Sequence, residues 1–200
     1  MDKSFMEAIK NRRSIYALSN ELIVSKERIE EIVKDAIKHV PSAFNSQSTR
    51  IVILFGEHHD KLWQFTLNEL KKLTSEEQFV ETEKRVMGAF ASGYGTVLFF
   101  EDQSVVEYLV NSFPLYGDRF PDWSLHTNAM HQFVIWTALE AEGLGASLQH
   151  YNPLIDENIQ REWGIDKNWK LYAQLPFGKP LVRAGEKEFS DVEARVKVFK

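Results

Sequence analysis

Two short segments of this 200-residue chain carry side chains that could bind a polar cofactor. The first, which we call the arginine loop, is Arg12, Arg13 and Ser14 at the end of a short amphipathic stretch. Two guanidinium groups beside a hydroxyl can hold a phosphate through charge-assisted hydrogen bonds. The second, the amide loop, is residues 41–47, in which Asn45 and Gln47 offer hydrogen-bond donors and acceptors. Together the two loops predict a cofactor with an anionic tail and a polar middle.

Each loop also has a simpler interpretation. An isolated arginine pair of this kind is more often a solvated helix end than an anion site. Proline, serine and asparagine favour turns for backbone reasons alone, so the amide loop could be only a turn. Neither loop is specific by itself.

The composition limits the classes of protein to which the chain can belong. With 44% hydrophobic and 26% charged residues, the chain fits a single globular domain, and its net charge of -5 disfavours nucleic-acid binding. The absence of cysteine excludes thiolate nucleophiles and disulfides, so redox chemistry would need a bound cofactor. The sequence shows neither a signal peptide nor an apolar run of the ~20 residues that span a bilayer. We therefore expect a cytoplasmic protein without a membrane partner.

Hydrophobic periodicity places the amide loop between a helix and a strand. Ser25 can cap a helix over residues 26–39, whose apolar side chains recur at three-and-four spacing. Residues 50–55 form an apolar run rich in branched side chains and ended by Gly56, which predicts a buried strand. The amide loop is the connection between them.

Further elements are predicted along the rest of the chain. Helices are expected over about residues 58–73 and from there to about 90, followed by a strand at 96–100 and a short helix from the end of that strand to about 111. Further helices are expected over 128–142 and 153–163, with a short strand or loop at 146–150 and a strand at 169–175. The helix over 128–142 is apolar around nearly its whole circumference, which indicates burial in a core or a subunit interface. Residues 113–123 read as an aromatic loop that could line a pocket, and the alternating residues 195–199 as an edge strand.

The order of these segments resembles the nitroreductase family of FMN-dependent oxidoreductases. The resemblance rests on the two loops, on Gly143, Leu144 and Gly145 leading to Gln149, and on a basic segment around Lys187. It is closest to the fatty-acid-repression-type branch, through FNSQSTR at 44–50, WSLHTN at 123–128 and GLGASLQHYN at 143–152. Ser48 and Thr49 stand where many members of the wider family have Pro-Trp, which favours this branch. The resemblance covers nearly the entire chain.

The resemblance implies an architecture. It implies an α+β nitroreductase-like fold in which a central, mostly antiparallel sheet is flanked by helices, forming a single FMN-binding domain over residues 1–200. It also implies a homodimer with exchange of the C-terminal strand. The flavin of this family sits at the dimer interface, with the amide loop from one subunit and the arginine loop from the other.

The resemblance also implies roles for individual residues. Arg12 and Ser14 would hold the FMN phosphate, Arg13 would support their loop, and Lys187 would approach the phosphate from the C-terminal segment. Pro41 and Ser42 would lie against the flavin ring, and Asn45 and Gln47 would contact the ribityl hydroxyls and the pyrimidine edge. Leu148, Gln149 and His150 would lie on the opposite side, where a backbone N–H could hydrogen-bond flavin N5.

The implied reaction is a ping-pong transfer of hydride from NADH or NADPH to the flavin and then to an electron-poor acceptor, such as a nitroaromatic or a quinone. Because the flavin performs the chemistry, we assign no catalytic side chain. The candidates for an acceptor pocket are Phe44, Phe113, Tyr116, Phe120, Trp123 and His126, although aromatic residues of this kind are core filler more often than substrate contacts. A role in stress response is a further expectation.

The histidines do not predict a metal site. His126 and His131 are five residues apart, which on a helix turns their side chains by roughly 140° from one another. The adjacent His58 and His59 are expected to be solvated. The glutamate-rich stretch over residues 76–83 is expected to be a solvated helix face.

Two rival functions remain open from sequence. One is a flavin-binding sensor or regulatory protein in which reductase activity is incidental. The other is a flavin-free interaction module whose Arg12 and Arg13 grip an acidic partner.

Overall fold

The computed structural model describes residues 3–200 and contains, in that range, seven α-helices and five β-strands. The helices are α1 (Phe5–Asn11), α2 (Lys26–His39), α3 (Glu57–Lys71), α4 (Glu76–Val86), α5 (Gln103–Ser112), α6 (Phe120–Ala141) and α7 (Asp156–Trp163). The strands are β1 (Leu18–Ser19), β2 (Thr49–Phe55), β3 (Gly95–Asp102), β4 (Gly145–Ala146) and β5 (Trp169–Pro180). Shorter helical turns cover Ala43–Asn45, Met87–Ala91 and Pro114–Arg119.

The strands form one sheet in the order β1-β5-β3-β2, with β4 also paired to β5. Every one of these strand pairs is antiparallel. β3 lies in the middle and is buried along its whole length, as expected for a strand covered on both faces. β2 is an edge strand, whose second edge is unpaired within the described part of the chain. The predicted α+β architecture with an antiparallel sheet is confirmed.

Alternate residues of β3 face two separate cores, because successive side chains of a strand point to opposite faces. Val97 and Phe99 pack into a cluster that includes residues of α2 and α6. Leu98 and Phe100 pack into a second cluster built from α3, α7 and the turn Met87–Ala91. The sheet is therefore the middle layer between helices on both faces, and α6 belongs to the layer that carries the candidate site.

α6 is longer than its hydrophobic pattern predicted. The segment over residues 113–123 is not an open loop, because a 3₁₀ turn covers Pro114–Arg119 and α6 already begins at Phe120. Pro121 is compatible with this start, since the first turn of a helix needs no donor at its N–H groups. One side of α6 is buried in the core, as predicted, while Met130, Phe133 and Val134 on another side are 36–40% exposed in the single chain. Burial of that side in a subunit interface stays a prediction.

The predicted strand over residues 195–199 is wrong for the single chain. Residues 183–200 form no strand in the described structure, and Val196, Val198 and Phe199 are 55%, 71% and 92% exposed. The alternating pattern of residues 195–199 is typical of an edge strand, but this segment does not pair with any strand of the described chain. β5, in contrast, runs to Pro180 and is longer than predicted.

The glutamate-rich face of α4 is exposed to solvent. Glu76, Glu77, Glu81 and Glu83 are exposed on α4, which confirms the prediction of a solvated face. From residue 3 onward, none of the helices has both the length and the apolar character needed to cross a lipid bilayer.

His59 was predicted to be solvated, and this is wrong: it is 1% exposed. Its Nε2 lies 3.2 Å from the carbonyl oxygen of Ala91, which can only accept, so Nε2 carries the proton. Its Nδ1 lies 2.8 Å from the hydroxyl of Thr96, which also accepts a hydrogen bond from Trp63 Nε1 at 3.1 Å. The hydroxyl proton is then directed at Nδ1, and the neutral imidazole has both ring nitrogens satisfied.

The burial of His59 predicts acid sensitivity of the fold. Burial lowers the pKa of His59, so below about pH 6.5 the unfolded chain binds a proton that the folded chain does not. The free energy of unfolding should therefore fall as the pH drops from about 6.5 towards the folded pKa, by up to about 1.4 kcal/mol per pH unit for this group. Urea unfolding at pH 7.5, 6.0 and 5.0 measures the slope.

His59→Gln is the informative variant for this prediction, because an amide can still donate to Ala91 and accept from Thr96. We expect the variant to be less stable at pH 7.5 but less sensitive to pH than the wild type. His131 is also buried, and burial lowers its pKa as well, so part of the slope should survive. Equal slopes in the two proteins would contradict the assignment to His59.

Candidate functional site

The arginine loop is tied to the segment that follows α6. Ile15 N donates to the carbonyl oxygen of Ala146 at 2.9 Å, and Ser14 forms a parallel bridge to the same residue. The approach is close: a Cβ on Gly145 would lie 3.0 Å from the side chain of Ile15. Gly143, at φ +88°, takes the left-handed conformation that reverses the chain after α6. The two glycines of the GLG motif are thus explained by backbone geometry.

The arginine side chains are held in an environment that favours an anion. The guanidinium of Arg12 lies 4.3 Å from the ring centre of Trp136, and its Nε is buried without a hydrogen-bond partner. Burial, and then the charge of Arg13, lowers the pKa of Arg12. Arg13 Nη1 donates to the carbonyl oxygen of Gly185 at 2.9 Å, and Ser14 is exposed. A bound anion would offset the repulsion between the two neighbouring cations, and it could supply acceptor oxygens to their donors.

A cavity of about 500 Å³ opens beside this loop. Its lining includes Arg13 and Trp136 together with Lys3, Lys10 and Arg183, while Lys3 forms an ion pair with Glu140 at 2.5 Å. Lys3, Lys10 and Arg183 were not among the residues predicted to bind an anion. Lys10 could have been found from its place two residues before the arginine loop, whereas only the fold brings Arg183 there.

The amide loop adopts an unusual backbone. Phe44, Asn45 and Gln47 have φ angles of 55°, 51° and 49°, in the left-handed region that non-glycine residues seldom adopt. The turn is closed by Ser42, whose hydroxyl accepts from Gln47 N at 3.0 Å and whose carbonyl accepts from Asn45 N at 3.0 Å. Asn45 and Gln47 are exposed and can contact a ligand. Strain of this kind, about 1–3 kcal/mol per residue, concentrates at functional sites.

Phe44 is the centre of an aromatic cluster. Its ring centre lies 5.0 Å from Phe113, 5.2 Å from Phe120, 5.9 Å from Tyr116 and 6.2 Å from Trp123. The fold therefore brings together five of the six residues suggested for an acceptor pocket, next to the amide loop. Phe44 remains 50% exposed, which leaves a flat apolar surface open to solvent. The sixth residue, His126, is exposed and forms none of these aromatic contacts.

The segment over residues 148–150 lies against β5. Gln149 N donates to the carbonyl oxygen of Gln174 at 2.7 Å, and Gln174 N donates back at 2.9 Å. The side chain of Gln149 donates to Ser147 Oγ at 3.1 Å. The backbone N–H of Gln149 is therefore already used, which leaves those of Leu148 and His150 as the candidates for a flavin contact.

Lys187 stands apart from the arginine loop in the single chain. It is exposed, and its ammonium lies 5.2 Å from the ring centre of Phe189. The C-terminal segment reaches the loop instead through Gly185, which accepts from Arg13. The role of Lys187 in phosphate binding stays a prediction.

The two loops lie at opposite ends of α6. Trp123, in the first turn, contacts Phe44 of the amide loop, whereas Trp136 stacks on Arg12 of the arginine loop. Thirteen residues separate the two tryptophans, which is about 20 Å along a helix axis. No hydrogen bond among residues 3–200 joins the two loops. One chain therefore holds the two loops apart and does not combine them in one closed pocket.

Comparison with known proteins gives consistent results. The model of the nitroreductase family matches residues 9–179. The nitroreductase FRM2 of Saccharomyces cerevisiae is 36% identical over 93% of this chain and 93% of its own length. The nitroreductase CinD of Lactococcus lactis, solved with chloramphenicol, is 44% identical with a TM-score of 0.90, over 98% of this chain and 100% of CinD. CinD has also been solved with 4-nitrophenol and with nicotinic acid.

A more distant structure shares the fold. A protein from Exiguobacterium sibiricum, solved in complex with FMN, aligns with a TM-score of 0.72 at 17% identity and covers 98% of each chain. The family model spans most of the chain and includes both loops, α6 and the GLG motif, which are the features from which the candidate site is built. The resemblance read from the motifs is thereby confirmed: the chain belongs to the nitroreductase family of oxidoreductases.

Proposed function

We propose that the protein is an FMN-dependent NAD(P)H oxidoreductase that reduces nitroaromatic, quinone or similar electron-poor acceptors. The observation that carries the proposal is the placement of a cationic loop and a strained amide loop at opposite ends of α6, each with free polar groups. Two copies of the chain can combine one loop of each kind into a single pocket. Such a pocket would offer cationic groups to the phosphate of FMN and polar groups to the rest of the cofactor.

The residues present fit the parts of FMN. A phosphate monoester carries up to two negative charges, which suits Arg12, Arg13 and the exposed hydroxyl of Ser14. The orphaned Nε of Arg12 gains a partner when a phosphate binds. Asn45 and Gln47 can satisfy ribityl hydroxyls and the pyrimidine edge. The FMN-bound protein of the same fold from E. sibiricum supports this assignment.

When bound, FMN would accept a hydride from NADH or NADPH and pass electrons to the acceptor in ping-pong order. The proposed role of the protein's own residues is to bind FMN and to orient it. The arginine loop would fix the phosphate, the amide loop would fix the polar middle, and Pro41 and Ser42 would lie against the ring. A backbone N–H of Leu148 or His150 would donate a hydrogen bond to the flavin. We assign no catalytic side chain.

The aromatic cluster around Phe44 is the proposed acceptor pocket. A half-exposed flat surface of Phe44, with Tyr116 and Trp123 beside it, favours stacking of a planar electron-poor ring. Structures of CinD with 4-nitrophenol and with chloramphenicol support acceptors that carry a nitroaromatic ring. The complex of CinD with nicotinic acid supports entry of a pyridine ring such as that of a nicotinamide donor.

Two open surfaces support a homodimer with exchanged C-terminal strands. The open edge of β2 borders a cavity of about 400 Å³ that has an apolar side and a polar side. Val33, Ile37, Ile51 and Ile53 form the apolar side, and the polar lining includes Ser42 and Gln47 of the amide loop. The alternating tail supplies Val196 and Val198 on one side of an extended chain, which can pack on the apolar side of this cavity in a second copy and leave Ser42 and Gln47 open to the flavin. A separate apolar face combines Met130, Phe133 and Val134 of α6 with residues of α2 and can pack against its symmetry mate.

The experiment that tests the proposal is an absorbance spectrum of the purified protein followed by anaerobic titration with NADH and NADPH. We expect a yellow protein that is bleached rapidly by at least one of them and reoxidised by 4-nitrophenol or a quinone. Bound FMN with slow reduction by both donors would favour a flavin-binding sensor. Colourless protein that takes up no added FMN would favour the flavin-free interaction module. Location in the cytoplasm and a role in stress response remain expectations.

A further inference from the structure

Glu101 is a fully buried carboxylate beneath the amide loop. It is 0% exposed and lies near the end of β3, directly opposite Thr49 of β2. Ser48 Oγ donates to Glu101 Oε2 at 2.6 Å, Thr49 Oγ1 donates to Oε1 at 2.5 Å, and Asn128 Nδ2 donates to Oε1 at 2.9 Å. One buried carboxylate thus connects the start of β2 to α6.

The partners of Glu101 are all arranged as donors. Asn128 Nδ2 also donates to the carbonyl oxygen of Phe100 at 3.1 Å, and its Oδ1 accepts from Gln132 Nε2 at 2.7 Å, so its orientation is fixed. Both hydroxyls are buried and directed at the carboxylate. Burial gives Glu101 a raised pKa, and the hydrogen bonds from Ser48, Thr49 and Asn128, with the charge of Arg50, limit the rise. Such an arrangement is built for an ionised acceptor.

Two of these donors follow the strained amide loop without a gap. Ser48 and Thr49 come directly after Gln47, the last residue of the loop with a positive φ. A second tether acts on the same residue: Arg50 Nη1 donates to the carbonyl oxygen of Gln47 at 2.7 Å, and Arg50 Nη2 donates to Asp102 Oδ2 at 3.0 Å. A strained loop keeps its conformation only where several contacts with the surrounding structure hold it in place. The end of β3 supplies these contacts.

We propose that Glu101 is a positioning residue for the flavin site. Its carboxylate anchors Ser48 and Thr49 and thereby holds the amide loop in the left-handed conformation that presents Asn45 and Gln47. Without the negative charge the anchor weakens and the loop relaxes towards ordinary backbone angles. The effect on FMN rests on the proposed function, whereas the effect on the loop can be measured in the protein without FMN.

Glu101→Gln tests the inference, because it keeps the shape of the side chain and removes the charge. We expect the FMN dissociation constant to rise about tenfold, since each hydrogen bond to a charged group contributes on the order of one decade or more. At saturating FMN, the visible absorbance bands and the midpoint potential of the flavin should also shift. In the protein without FMN, amide hydrogen exchange over residues 42–49 should accelerate.

Glu69→Gln is the control, because Glu69 lies on α3, accepts from Lys72 and from Asn158 of α7, and makes no hydrogen bond to the amide loop. It should leave the flavin spectrum and loop exchange unchanged. If the role of Glu101 is purely structural, Glu101→Gln will have a lower thermal stability, but its flavin spectrum, midpoint potential and loop hydrogen exchange will match those of the wild type. That result would overturn the inference.

A second variant is available if Glu101→Gln does not fold. Thr49→Val removes one donor and keeps a branched side chain in the strand, so it should produce the same changes on a smaller scale. Unchanged loop exchange in a folded Thr49→Val protein would also contradict the inference. If the wild type binds no FMN, the proposed function fails, but hydrogen exchange in the two variants still decides the role of Glu101.

Discussion

If the protein is the proposed strand-exchanged dimer, deletion of residues 191–200 should convert it into a monomer and release most of the FMN that it binds. In the single chain this tail is exposed, and its alternating residues Val196 and Val198 have no core of their own. If they pack on the apolar side of the cavity beside the open edge of β2 in a partner, their removal exposes two apolar surfaces per dimer and separates the two loops that form each pocket. We expect the FMN dissociation constant to rise by about 100-fold, which corresponds to ~2.7 kcal/mol. Analytical ultracentrifugation and flavin fluorescence titration measure the two effects.

Point variants make this prediction specific to strand exchange. In an extended strand, Val196 and Val198 face one side and Lys197 faces the other. Replacement of both valines by lysine should reproduce the deletion, while Lys197→Gln should remain dimeric and retain FMN. A deleted protein that stays dimeric with unchanged FMN affinity would show that the tail is not exchanged.

Replacement of Arg12 by alanine should have the second large effect, again on FMN affinity. The substitution removes a charge-assisted contact to the phosphate, and such contacts contribute about 1.5–3 kcal/mol each, or roughly 10–100-fold in affinity. Arg12→Lys keeps the charge but loses the forked donor geometry and the stacking on Trp136, so an intermediate loss is expected. Fluorescence titration of the protein without FMN measures both values.

Arg28→Ala serves as the control for this second prediction. Arg28 is an exposed arginine that pairs with Glu31 and Glu142, and it takes no part in either loop. Its removal should leave FMN binding unchanged. Since Arg12 also packs on Trp136, thermal unfolding without FMN should be recorded in parallel to separate lost packing from lost phosphate contact. Unchanged affinity in a stable Arg12→Ala protein would count against the phosphate assignment.

Elements with several agreeing local signals were predicted accurately from the sequence, whereas features that depend on distant residues were not. The helix over residues 26–39 and the strand that follows it were predicted almost to the residue, because a serine cap, a three-and-four apolar spacing and a glycine stop all agree. The start of α6 was missed, since Pro121 and the surrounding aromatic residues resemble a loop when the first-turn position of the proline is unknown. His59 was misplaced for a related reason: its burial depends on Thr96 and Ala91, which are distant in the chain.

The amino-acid sequence by itself determined the two loops and the family, because these follow from short motifs and their order, and the resemblance to the family in turn implied the antiparallel α+β architecture. Only the tertiary structure decided three other features: the separation of the loops along α6, the aromatic cluster around Phe44, and the buried anchor at Glu101. Each depends on side chains many residues apart in sequence, whose contacts are fixed by strand register and helix packing. Periodicity shows which face of an element is buried, but not which residue lies opposite it.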